Sequence, residues 1–130
     1  MRPAHLIHLS LKRSAADVYD FLSKPKNYAE WAAVEGPMTQ IGPLEWKAQM
    51  AFGERIVRFC EPNPYGVLDH AVFAQGEEPL MLPMRVTPNG EGCELTFIFF
   101  RRPGISDEVY ASSIEWINTD FMMLRSILEL

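Results

Sequence analysis

SDEVYASSIEWINTDFMMLRSILEL, residues 106–130, is the stretch that decides the fold. Tyr110, Ile114, Ile117, Phe121, Leu124 and Leu128 follow one another at steps of four and three, the period of one apolar helix face. Asp107 and Glu108 stand in the first turn, where the positive end of the helix dipole favours carboxylates, and Ser106 is placed to cap it. Pro103 and Gly104 stop whatever precedes. About 23 helical residues at ~1.5 Å each give roughly 34 Å, enough to cross a small domain. A second apolar row, Val109, Trp116, Met123 and Ile127, widens the stripe beyond what a solvent-facing helix needs. The pattern predicts a long core helix, and the rest of the chain must supply what it covers.

Immediately upstream, residues 44–102 read as strands joined by turns, with no helical period. Asn89-Gly90 is the strongest hairpin signal in the chain. Folding there pairs Leu80 with Phe99, Leu82 with Phe97, Met84 with Leu95 and Val86 with Cys93, and sets Arg85 against Glu94 on the other face. A second turn centred on Phe52-Gly53 places Trp46 opposite Phe59, Ala48 opposite Val57 and Met50 opposite Arg55. Glu45, Lys47, Gln49 and Arg58 then form a polar outer face. The strand between the hairpins, 67–74, admits two registers. Pairing Phe59 with Leu68 sets Arg58 against Asp69 outside and turns His70 inward; a one-residue slip turns Asp69 inward instead. The first register is preferred because it keeps a carboxylate out of the core.

At the start of the chain, Ile7, Leu9 and Leu11 alternate with His8, Ser10 and Lys12, the pattern of a strand over Ala4–Leu11. Ser14 and Asp17 form an acidic variant of the capping box and open a short helix through Ser23 that buries Val18, Phe21 and Leu22. Pro25 ends it and opens a second short helix through Tyr28 and Trp31. Gly36, Pro37, Gly42 and Pro43 then bracket a short strand.

This order of elements, together with Ser14-Ala-Ala-Asp-Val-Tyr-Asp-Phe-Leu22, Pro25-Lys-Asn-Tyr28 and Trp31, resembles the opening of the START/SRPBCC superfamily. Residues 83–90 (PMRVTPNG), Phe99-Phe-Arg-Arg-Pro-Gly104 and Ser106-Asp-Glu108 are similar to an uncharacterised polyketide cyclase/dehydrase-like bacterial branch of it. The resemblance covers nearly the whole chain. It implies an α+β helix-grip fold, residues 1–130 as one domain, with a curved antiparallel sheet of about six to seven strands wrapped around the C-terminal helix. It does not choose among the ligand carriers, cyclases, dehydratases and protein-binding modules that share the fold. The short loops of this chain imply a small cavity, or one closed by aromatic side chains.

Composition narrows the classes further. Apolar residues make up 48% and charged residues 22% of the 130, which is ordinary for a globular protein. A net charge of −5 without a lysine/arginine block argues against nucleic acid or an anionic membrane surface as partner. No apolar run reaches the ~18 residues of a membrane span, and no signal-peptide pattern is seen, so a cytoplasmic location is expected. Cys60 and Cys93 read as reduced, strand-borne residues. No cofactor or metal is expected: Gly90 and Gly92 belong to a hairpin, and His5 and His8 point to opposite faces of a strand.

Strand parity selects the candidate site. The concave lining is read as Trp46, Met50, Val57 and Phe59 from the first hairpin, and Met84, Phe97 and Phe99 from the second. Ile117 and Phe121 of the helix cap it. The competing reading of the same side chains is a filled core. Arg55 and His70 are the two strongly polar residues on this face. Arg55 would hold a carboxylate or phosphate bidentately, or else reach from the sheet end into water. His70 would serve as acid, base or hydrogen-bonding anchor, or else bond to the backbone in the core. Glu115 and Asp120 are read as solvated. Three functions remain: binding of a small, largely hydrophobic molecule; a cyclase or dehydratase-like enzyme using His70; or a closed-core interaction module, for which a homodimer is one form.

Overall fold

A computed structural model describes residues 1–130. Strand β1 (Ala4–Leu11) leads to helix α1 (Ala15–Leu22), then through a 3-10 turn at Pro25–Asn27 to α2 (Tyr28–Trp31). Strands β2 (Thr39–Gln40), β3 (Glu45–Met50), β4 (Gly53–Phe59), β5 (His70–Phe73), β6 (Leu80–Leu82), β7 (Met84–Asn89) and β8 (Gly92–Phe100) follow, and α3 (Asp107–Leu128) ends the chain. All pairings are antiparallel, in the orders β1-β8-β7 and β2-β3-β4-β5-β6. This is the expected helix-grip α+β architecture. The strands number eight because Pro83 divides what the sequence reads as one strand into β6 and β7. With no N–H to donate, proline interrupts the ladder. The Pro83 carbonyl still accepts from the Ile98 N–H at 3.0 Å, and Leu68 N–H donates to Met84 O at 2.8 Å, so the two sheets meet in one curved surface.

Where the expected hairpins form, their registers are displaced by two residues, while Leu80 and Leu82, expected opposite Phe99 and Phe97, pair with Val72 and His70 of β5. Trp46 lies opposite Val57, not Phe59, and Met50 opposite Gly53. Met84 lies opposite Phe97 and Val86 opposite Leu95. Phe59 pairs with His70 and Val57 with Val72. Side chains alternate with period two, so a two-residue displacement leaves each on its assigned face. The ion pairs do change. Arg58 bonds Glu45 at 2.8 Å and not Asp69. Asp69 takes Arg85 and also accepts the Met84 N–H at 2.9 Å, which holds the bend beside Pro83. Glu94, expected opposite Arg85, instead accepts from Ser10 at 2.6 Å and Asn89 at 3.0 Å and contacts His8. These bonds hold its carboxyl down at about 2.

Helix α3 is fixed at both ends. Ser106 Oγ accepts the Val109 N–H at 3.1 Å, a cap worth ~1 kcal/mol. Arg101 bonds Asp107 at 2.7 Å and Ile105 O at 2.7 Å, and its guanidinium lies 5.5 Å from the Tyr110 ring, which itself stacks on Phe99. At the other end Leu124 and Leu128 are buried, Arg125 donates to Ser10 O at 2.9 Å and Arg13 to Leu128 O at 3.1 Å. Between these anchors, from Asp107 to Asp120, no residue of the helix is fully buried. The small side chains Ser112 and Ser113 fall in that span and leave room beneath it.

Candidate functional site

The unfilled span of α3 covers a cavity of about 590 Å³. Its walls are the rings of Trp31, Phe97, Phe99 and Phe121 with Met50 and Leu82, and its mouth lies between Phe52 of the β3–β4 turn and Trp116 of α3. The interior is therefore not closed by aromatic side chains. The rings meet edge to face, Phe97 on Phe121 at 5.4 Å and Trp31 on Phe121 at 6.1 Å, so they hold one another upright around the space instead of collapsing into it. A second depression of about 790 Å³ lies at the other end of the molecule. Only Leu11 and Cys93 of its lining are apolar, and nothing in it marks a chemical site.

Ser112, Ser113, Glu77 and Glu108 are in the lining, and three further polar side chains, His70, Asp120 and Tyr28, meet its aromatic walls. His70 is 4% exposed, and its Nδ1 lies 3.1 Å from Leu68 O. A carbonyl only accepts, so Nδ1 carries the proton and the Nε2 lone pair is left free of protein partners. Burial pushes the imidazole pKa down, partly offset by the Leu68 bond and by Asp69, which keeps the ring neutral. Asp120, half-buried on α3, makes no ion pair and no hydrogen bond to another side chain, and meets only the Ala33 backbone amide. Burial raises its carboxyl to about 7, and the Ala33 amide offsets part of that rise. Tyr28 of α2 is 7% exposed, and burial, with the nearby Asp120 charge, drives its phenol upward. Its ring stands edge-on to His70 at 5.5 Å. The two arginines of the lining are at the rim. Arg55 lies 4.7 Å over the Phe52 ring and donates to Glu54 O at 2.8 Å. Arg102 donates to Glu78 O at 2.9 Å and pairs with Glu77 at 3.4 Å.

Of the residues chosen from the sequence, the structure brings Met50, Arg55, His70, Phe97, Phe99, Ile117 and Phe121 to this cavity. Trp46, Val57, Phe59 and Met84 share the concave face but do not reach the space. Tyr28 comes between: its ring packs against Phe59 at 5.6 Å, and α2 fills that end of the groove. Tyr28 and Trp31, read as braces for the short helices, are thus cavity walls as well. Asp120, read as solvated, is also in the lining. Its position was signalled by spacing, since it stands three residues after Ile117 and four before Leu124, at the edge of the apolar stripe.

No protein-family model matches the chain, and no curated protein matches it by sequence. Solved structures do. A START superfamily protein from Mycobacterium smegmatis superposes with a TM-score of 0.77 at 12% identity, over 97% of each chain. The Aha1 dimer from Colwellia psychrerythraea gives 0.76 at 11% identity over 98% of this chain and 97% of that one. An uncharacterised Bacillus thuringiensis protein gives 0.76 at 11% identity, over 97% and 98%. At such identities the likeness establishes architecture alone: the chain shares the helix-grip fold of these structures. No helix is long and apolar enough to cross a membrane.

Proposed function

We propose that the protein binds a small, largely hydrophobic molecule in the cavity between the sheet and α3. The observation that carries this reading is the cavity itself: about 590 Å³ of ring-lined, mostly apolar space with a minority of polar groups, His70, Asp120 and Tyr28 among them. Ligand sites have this composition, apolar walls with a few placed polar groups, and this size. The reading is tested on freshly purified protein by comparing its native and denatured masses and profiling a solvent extract. A retained adduct of a few hundred daltons is expected. Phe97→Trp, which places a larger ring in the cavity, should abolish binding of that molecule; a folded Phe97→Trp protein that binds unchanged would refute the site.

A second reading, proton transfer on a bound ligand, is favoured by one pair of facts. His70 presents an unprotonated Nε2, and Asp120 holds its carboxyl near neutrality, in the same apolar space. If the bound molecule is turned over, His70→Gln should remove turnover and keep binding. Retained turnover excludes the histidine as the base.

A further inference from the structure

We infer that the molecule bound in this cavity is an apolar amine, held as its cation with the ammonium at Asp120 and its hydrocarbon among the aromatic rings. This rests on the ligand-binding reading above and adds the chemical class. Both guanidiniums of the lining are at the rim and already engaged: Arg55 by Glu54 O and the Phe52 face, Arg102 by Glu77 and Glu78 O. Glu108, also at the rim, lies in the first turn of α3 and is solvent-exposed. Inside, the protein supplies no cation. His70 Nδ1 is tied to Leu68 O, so the imidazole shows the cavity an acceptor nitrogen. Asp120 is the interior carboxylate: it makes no ion pair and no bond to another side chain, meets only the Ala33 backbone amide, and lines the same space.

Each class of ligand headgroup meets this arrangement differently. A carboxylate or phosphate finds no interior donor cation and faces the Asp120 carboxyl, a like charge in poorly solvated surroundings. An uncharged headgroup offers that carboxyl at most a neutral hydrogen bond, weaker than a charge-assisted one. An ammonium forms a charge-assisted bond to it. Tyr28, Trp31, Phe97 and Phe121 line the same space, and a cation resting on an aromatic face gains further. The His70 Nε2 lone pair adds a further acceptor. The inference reverses the polarity expected had Arg55 served as the anchor: that guanidinium is held at the rim by Phe52 and Glu54 O, and Asp120 is the charge-capable group left to the ligand.

Three matched probes separate this inference from the reading beneath it: naphthylethylamine, naphthylethanol and naphthylacetate, titrated calorimetrically into the full chain near pH 8. The amine should bind about tenfold or more tighter than the alcohol, and the acetate weakest. Asp120→Asn should reduce amine affinity about tenfold and leave the alcohol within about twofold. If the alcohol binds and the amine gains nothing over it, or the acetate binds best, the amine inference is overturned while the cavity reading stands. If none of the three binds folded protein, both fall. The ranking on the unsubstituted chain decides the matter even where Asp120→Asn is poorly folded.

Discussion

Phe52 and Trp116 meet edge to face with ring centroids 6.5 Å apart, joining the β3–β4 turn to the exposed side of α3 across the cavity mouth. Both rings remain largely exposed, 58% and 45%, so this contact contributes little to the core. What it does is narrow the way in. Arg55, lying over Phe52, braces the same turn from the other side. A rim built from one turn and one helix face can part without disturbing the buried strands, because few apolar contacts hold it.

Phe52→Ala should therefore widen the mouth at little cost in stability, within about 0.5 kcal/mol. Association and dissociation of a fluorescent naphthyl probe should both accelerate several-fold in stopped-flow measurements, with Kd nearly constant, since the groups that hold the ligand are deeper. A large loss of affinity with unchanged rates of entry would show that Phe52 is part of the binding wall and not of the passage.

Helix α3 should respond unevenly to truncation along its length. Leu124 is 0% exposed and lies in the closed end of the core, so Leu124→Ala should cost about 2–5 kcal/mol in urea unfolding. Ile117 stands over the cavity and already lacks partner atoms on one side. Ile117→Ala should cost no more than about 1–2 kcal/mol. Equal costs would mean that the space beneath Ile117 is filled in solution.

The bend at Pro83 depends on Asp69, which accepts the Met84 N–H and pairs with Arg85. Asp69→Asn keeps the shape and weakens both bonds; about 1–2 kcal/mol should be lost. Amide exchange should quicken first at Met84 and Leu68, whose N–H groups bond across this junction. Exchange that accelerates uniformly through β3 and β4 instead would place the strut elsewhere.

The faces of the strands were legible in the sequence for a reason that also explains what was not. Apolar and polar residues alternate with period two, and a two-residue error in register changes no face. Thus alternation alone places Trp46, Val57 and Phe59 on the concave side, although each has a different partner from the one expected. The charges misled because Arg58 and Asp69 both had competitors: Glu45 lies directly opposite Arg58 and Arg85 beside Asp69. The long helix and its cap were legible from periodicity and Ser106 alone. Cavity walls were only partly so. Whether Val57 or Tyr28 lines the space depends on where the four-residue α2 comes to rest, and no local pattern encodes that. Asp120 was missed because helix periodicity places a side chain on an edge without telling whether the neighbouring layer is packed or open.

The same two interior groups give the protein's stability opposing responses to pH. Asp120 holds its proton up to about 7 in the folded state, against a usual value of 3.8. Between those limits the folded protein carries a proton that the unfolded chain has released, so stability falls as pH rises through this window. For a half-exposed carboxyl the effect, after screening by solvent, is of order 1 kcal/mol. His70 acts the other way. Its folded pKa is lowered from 6.5, so below that pH the unfolded chain takes up a proton that the buried ring refuses, and stability falls as pH drops. Asp120→Asn should accordingly be more stable than the unsubstituted protein near pH 8 and equal to it near pH 4. His70→Gln, whose side-chain amide can still donate to Leu68 O, should weaken the loss of stability between about pH 6.5 and 4. Urea midpoints measured for both variants across this range would test the two signs separately. An Asp120→Asn curve parallel to that of the unsubstituted protein at every pH would place that carboxyl in solvent, outside the cavity wall.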